Sequence, residues 1–261
     1  MINLDRQIQA SLDDCRRRYI SEFFSTTAYA LIVGNHAAAN NKRNGVGLRF
    51  QNITIPSGVT IEAAYFRPIA QSDETGTTFR SRIKGEDADN AAAFSTVEDF
   101  DGRDRTTAEV DWDGEGPWTT GERYQSPDIK TIIQEIIDRP GWSSGNALVL
   151  FWDDFDDRSD VGADRRAYQY DNAPTNPVQL HIQYSTTQLD KRVAANTDDA
   201  LIYFNGTGWV WNTAANHTQV GYYSDTLYKL GGGMRFLDIT IPHGALITAA
   251  YLTITCSANQ A

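Results

Sequence analysis

Gly47-Leu-Arg-Phe-Gln-Asn-Ile-Thr-Ile-Pro-Ser-Gly-Val-Thr-Ile-Glu-Ala-Ala-Tyr-Phe66 is echoed by Gly233-Met-Arg-Phe-Leu-Asp-Ile-Thr-Ile-Pro-His-Gly-Ala-Leu-Ile-Thr-Ala-Ala-Tyr-Leu252. The match holds without a gap at an offset of 186 (233 − 47 and 252 − 66). Self-similarity of this kind marks a duplicated module. Each copy reads as strand, turn, strand. In the first, Leu48, Phe50, Ile53 and Ile55 are apolar, Pro56-Ser-Gly58 turns the chain, and Ile61, Ala63 and Tyr65 resume on one side. Past the matched stretch the two copies diverge: the chain runs on after Phe66 but stops at Ala261. The second copy therefore reads as half a module.

Working outward, residues 23–185 read as a run of short strands separated by turn residues, with candidates at Thr77–Ile83, Thr106–Trp112, Ala147–Trp152, Ala167–Tyr170 and Val178–Tyr184. That pattern predicts a mainly β fold, an antiparallel, jelly-roll-like sandwich. One packed helix is expected over 127–138: Ser126 suits an N-cap, Pro127 the first turn, and Ile129, Ile132, Ile133, Ile136 and Ile137 make one buried stripe. Polar residues 186–197 read as a linker, and 198–261 as a partial second sandwich. Val33-Gly34 against Val220-Gly221 hints that the duplication extends upstream. Residues 1–22 read as a helical docking segment, because Leu4, Ile8, Leu12 and Cys15 recur at steps of four, four and three.

These strands carry a resemblance. Arg49–Tyr65, with Val110-Asp-Trp112, Ser126-Pro-Asp-Ile129, Ile133-Gln-Glu-Ile136 and Gly141-Trp-Ser-Ser-Gly-Asn-Ala147, is similar to DNRLRE-like β-sandwich modules. The resemblance covers roughly residues 25–184 and part of 198–256. It implies a jelly roll of the kind found in large extracellular and surface proteins, some of whose relatives bind polysaccharide. It assigns no site residue.

The net charge of −11 argues against nucleic acid and anionic membranes, both of which need clustered Lys and Arg. Cys15 and Cys256 lie near opposite ends, with neither zinc nor disulfide-framework spacing; whether they are bonded stays open. The N-terminus lacks the pattern of a secretory signal, and no segment resembles a membrane span.

Three constellations are candidate sites. Asp153, Asp154, Asp156, Asp157 and Asp160 crowd one loop and could supply hard oxygens to calcium; a solvated loop, or one neutralised by Arg158, Arg165 and Arg166, is the competing state. Asp111, Asp113 and Glu115 beside Trp118 raise a glycosidase, but neighbours in sequence do not face each other across a cleft. Trp118, Trp142, Trp209, Trp211, Tyr222 and Tyr223 could stack on sugar rings or line an interface. Scattered His36, His181, His217 and His243 form no metal or nucleophile pattern, and no enzyme activity is expected.

A half sandwich exposes apolar faces and unpaired strand edges. The expectation is a non-catalytic structural or adhesive subunit of a virion or extracellular appendage. Its partners would be copies of itself or neighbouring structural subunits. The alternative is a carbohydrate-binding module of a larger surface protein.

Overall fold

The computed structural model describes residues 1–36, 43–75, 78–114, 116–186, 189–195, 197–214, 218–221, 229–241, 247 and 249–255. The chain divides into two compact units, the first formed by Met1–Thr187 and the second by most of the chain from Gln188 onward.

The first unit is a mainly β, antiparallel sandwich. Its smaller sheet has three strands in the order β1 (Ile2–Gln7), β11 (Gln179–Ser185), β6 (Thr60–Arg67). The larger, eight-stranded sheet runs β10 (Asp164–Tyr168), β4 (Ala30–Gly34), β5 (Asn44–Phe50), β9 (Leu148–Asp153), β7 (Arg82–Glu86), β8 (Arg105–Asp111). In it β2 (Asp14–Arg18) pairs with β5 and with β3 (Phe23–Ser25). Alternation decides the layering. Val46, Leu48 and Phe50 of β5 and Leu148, Leu150 and Trp152 of β9 face Ile61, Phe66, Leu180 and Ile182 of the small sheet in one core. Helix α2 (Lys130–Ile137) packs against β6, β7 and β8 and adds Ile132, Ile133, Ile136 and Ile137 to that core.

The large sheet is covered on its other face too. Val149 and Phe151 of β9 meet Cys15, Ala91, Phe94 and Phe100 in a second cluster, capped by helix α1 (Val97–Gly102). Gly45 and Gly47 lie on this face because nothing larger fits: a methyl group at Gly47 would come within 2.3 Å of the Phe94 ring. Thr96 caps α1 by accepting the Asp99 N–H, an N-cap pattern legible in Thr-Val-Glu-Asp but not expected from the sequence reading.

Two expectations are corrected. Residues 2–20 are not a helix: they form β1 and β2, and Leu12 is exposed. A step of four keeps Leu4 and Ile8 on one face of a strand as well as of a helix, so the spacing did not discriminate. The internal helix starts at Lys130, three residues later than Pro127. The Ser126 hydroxyl accepts the Phe66 N–H, and Asp128 accepts the Ala64 N–H, so these groups bind strand β6.

The second unit contains a three-stranded sheet, β13 (Trp209–Asn212), β12 (Asp199–Phe204), β14 (Leu230–Met234). This sheet repeats the β3–β2–β5 corner of the first. Cys15 pairs with Gly47 and Arg17 with Gly45; Ala200 pairs with Gly233 and Ile202 with Gly231. The Arg49 N–H binds the Asp13 carbonyl at 2.6 Å, and the Arg235 N–H binds the Asp198 carbonyl at 2.6 Å. Both arginines also clamp the side chain of that same aspartate. The upstream landmark recurs as well, since Gly34 bridges Asn44 and Gly221 bridges Leu230. The duplication therefore reaches back to Asp13.

Candidate interaction site

The second unit carries an uncovered counterpart of the face that Phe94 and Phe100 cover in the first. Strand pairing sets the correspondence: Arg17 lies between Gly45 and Phe24, and Ile202 lies between Gly231 and Trp211. Phe24 packs against Phe100, with ring centroids 6.1 Å apart. Trp211 is 68% exposed instead, and Trp209, on the same side of β13, is 56% exposed. Ile202, Trp209, Trp211, Lys229, Leu230 and Gly231 line an open, mostly apolar depression of about 570 Å³. A methyl group added at Gly233 would meet nothing within 4 Å.

The other apolar face is bare as well. Ile53, Ile55 and Phe66 are fully buried, while their repeat partners Ile239, Ile241 and Leu252 are 49%, 46% and 58% exposed. Beyond the bridge to Gly221, the described residues place no strand on the free edge of β14, the edge that β9 fills on β5. The same sequence pattern is thus core in one unit and surface in the other.

The remaining aromatic candidates separate from this site. Trp118 and Trp142 are buried in the core of the first unit and present no face to a sugar. Trp118 stacks on Tyr124 with centroids 4.5 Å apart, and the Trp142 indole N–H donates to the Ile55 carbonyl at 3.0 Å. Tyr222 and Tyr223 lie outside the described residues, as do Glu115 and Cys256.

The acidic loop is not gathered around one point. Asp153 accepts the Tyr19 hydroxyl at 2.8 Å, and burial holds its carboxyl above the usual range. Asp154 turns back on its own loop: one oxygen accepts the N–H groups of Arg158 and Ser159, and burial raises the group to about 6. Asp156 and Asp157 adopt left-handed backbone, and the Asp157 carboxylate accepts from Asn35 at 3.5 Å. Asp160 is exposed. Among the described residues no group of three or more His, Cys, Asp or Glu side chains is placed to hold a metal. Arg158 pairs with Asp111 and Asp113, Arg166 with Glu74 and Asp164, and buried Arg165 donates to the carbonyls of Asp164 and Gly116. Asp111 is held low chiefly by its hydrogen bond to Arg82, and Asp113 accepts the Ser81 N–H.

A polar cluster that sequence spacing did not reveal sits where β4 and β10 meet. His36 Nδ1 lies 2.6 Å from Asp164, and Arg166 Nε lies 2.9 Å from Glu74. Burial, with a hydrogen bond to Asp164, pushes Glu74 up to about 7. The members lie between 36 and 166 in the chain, too far apart for any motif. Searches against family models and curated proteins find no match to this chain.

Proposed function

We propose that the protein is a non-catalytic structural subunit of a virion or extracellular appendage, joined to its neighbours by strand addition at the second unit. The observation that carries this reading is the unequal fate of one repeated pattern: Ile53, Ile55 and Phe66 are buried, and Ile239, Ile241 and Leu252 are not. Exposed apolar area of this kind, beside an open strand edge, is a template for another chain. The DNRLRE-like resemblance belongs to the same proposal, since it implies a module of extracellular and surface proteins.

In isolation the chain is expected to bind an apolar dye and to self-associate as its concentration rises, through the exposed apolar faces of the second unit. Light scattering coupled to size exclusion measures both mass and concentration dependence. A dye-silent species of 29.1 kDa at every concentration overturns the reading. A second reading is favoured by one observation, the side-by-side exposure of Trp209 and Trp211, which suits stacking on pyranose rings. Glycan-array signal that disappears in Trp211→Ala would support it.

A further inference from the structure

We infer that the second unit receives an extended strand with the chemistry of Leu148–Asp153, supplied by a neighbouring subunit and bound antiparallel along β14 with an aromatic residue opposite Gly233. This rests on the assembly reading above and specifies its partner. The first unit supplies the template. There β9 lies along β5 with Asp153 opposite Gly45, Trp152 opposite Val46, Phe151 opposite Gly47 and Leu150 opposite Leu48. The repeat carries those positions to Gly231, Gly232, Gly233 and Met234.

Size complementarity narrows the occupant. β14 places Gly231 in the Trp-lined depression and leaves Gly233, on the same face, with nothing within 4 Å of an added methyl group, so a bulky residue opposite Gly233 suits the open space. Pairing β14 with β14 of another copy would set glycine against glycine and leave the gap open. Nor is a second copy's own β9 available, because it lies between β5 and β7 in the middle of the large sheet. Alternation completes the specification. Residues matching Phe151 and Asp153 lie on the face of the depression, opposite Gly233 and Gly231, while those matching Leu148, Leu150 and Trp152 cover the face carrying Ile239 and Ile241.

The register makes one glycine decisive. A methyl group at Gly45 would come within 2.4 Å of the Asp153 Cβ across the ladder. At Gly231 the nearest atom is the Cγ2 methyl of Ile202, 3.1 Å away, which needs to give by only a few tenths of an ångström in the free chain. Gly231→Ala is therefore tolerated until a strand arrives.

The test titrates the full chain with a fluorescent peptide of the sequence Asn146–Asp154. Saturable binding, weakened about tenfold or more by Gly231→Ala and by replacing the peptide's phenylalanine with glycine, is the expected result. Amides of Gly231–Arg235 should gain hydrogen-exchange protection on binding. No binding by a chain that still self-associates overturns the strand assignment and leaves the assembly reading standing. Binding indifferent to Gly231→Ala overturns the register. Absence of binding, dye uptake and self-association together removes both.

Discussion

Glu74 shows how burial, joined by a neighbouring carboxyl, sets a residue's chemistry in this protein. Its carboxyl is almost wholly buried, accepts from Ser72, lies 2.9 Å from Arg166 Nε, and is raised to about 7 first by desolvation and then by its bond to Asp164. Asp14 is likewise raised to about 7 by burial, and Asp154 to about 6. Each holds its proton more tightly folded than unfolded. Their contribution to stability is complete below the ordinary carboxylate range near pH 4 and is lost as pH rises through 6 and 7. His36 works in the opposite sense. Burial pushes it below 6.5, so its contribution is present above that value and fades as pH falls. Three raised carboxyls outweigh one lowered imidazole. The first unit should therefore melt at lower temperature at pH 8 than at about pH 6. Each raised carboxyl contributes up to about 1.4 kcal/mol per pH unit inside its window. Glu74→Gln keeps the acceptor for Ser72 and should flatten the dependence between about pH 5 and 7 in calorimetric scans. An unchanged slope would show that Glu74 does not titrate in this range.

Between elements, the duplicated aspartate–arginine clamp gives the same bond two different values. Asp13 is buried and accepts Arg49 at 2.6 Å and Gln51 at 2.7 Å, locking β2 to β5. Asp13→Ala leaves a largely enclosed Arg49 without its counter-charge and should cost about 3–5 kcal/mol in urea unfolding followed by near-ultraviolet dichroism of the buried tryptophans. Asp198→Ala in the second unit should cost about 0–1 kcal/mol, because the Arg235 side chain is 62% exposed. Equal losses would mean that the second clamp is as enclosed as the first. The repeat of strand, turn and strand was legible in the sequence because a gapless match needs no tertiary information. So was the isoleucine stripe of α2. The N-terminal strands were not, since Leu4 and Ile8 satisfy both periods and only pairing with β11 and Val178 chooses between them. Trp118 and Trp142 misled for a related reason: a tryptophan reads alike as platform or core until its neighbours are known. Trp209 and Trp211 were legible as a pair because i and i+2 on a strand project together. What the sequence could not tell was that the matching face in the first unit is filled by Phe94 and Phe100, which arrive from a segment with no repeat partner.

At the scale of the whole molecule, the two units differ in how much apolar surface each encloses. The first holds two aromatic-rich clusters, whereas Leu201 is the one buried apolar side chain among the described residues of the second. Local stability follows enclosed apolar contact, so the units should open on separate scales. In dilute solution, amides of β5 are expected to exchange only through global unfolding of the first unit. Those of β14 should exchange orders of magnitude faster, although both strands share the same hydrogen-bonding register on one side. The difference follows from pairing: among the described residues β14 pairs with β12 and, through one bridge, with Gly221, whereas β5 lies between β2 and β9. Adding the Asn146–Asp154 peptide should slow exchange at β14 and leave β5 unchanged, because β5 already pairs with β9. Protection of β14 equal to that of β5 in a dilute monomer would mean that the second unit encloses its own core, and the proposal of a strand-accepting subunit would be withdrawn.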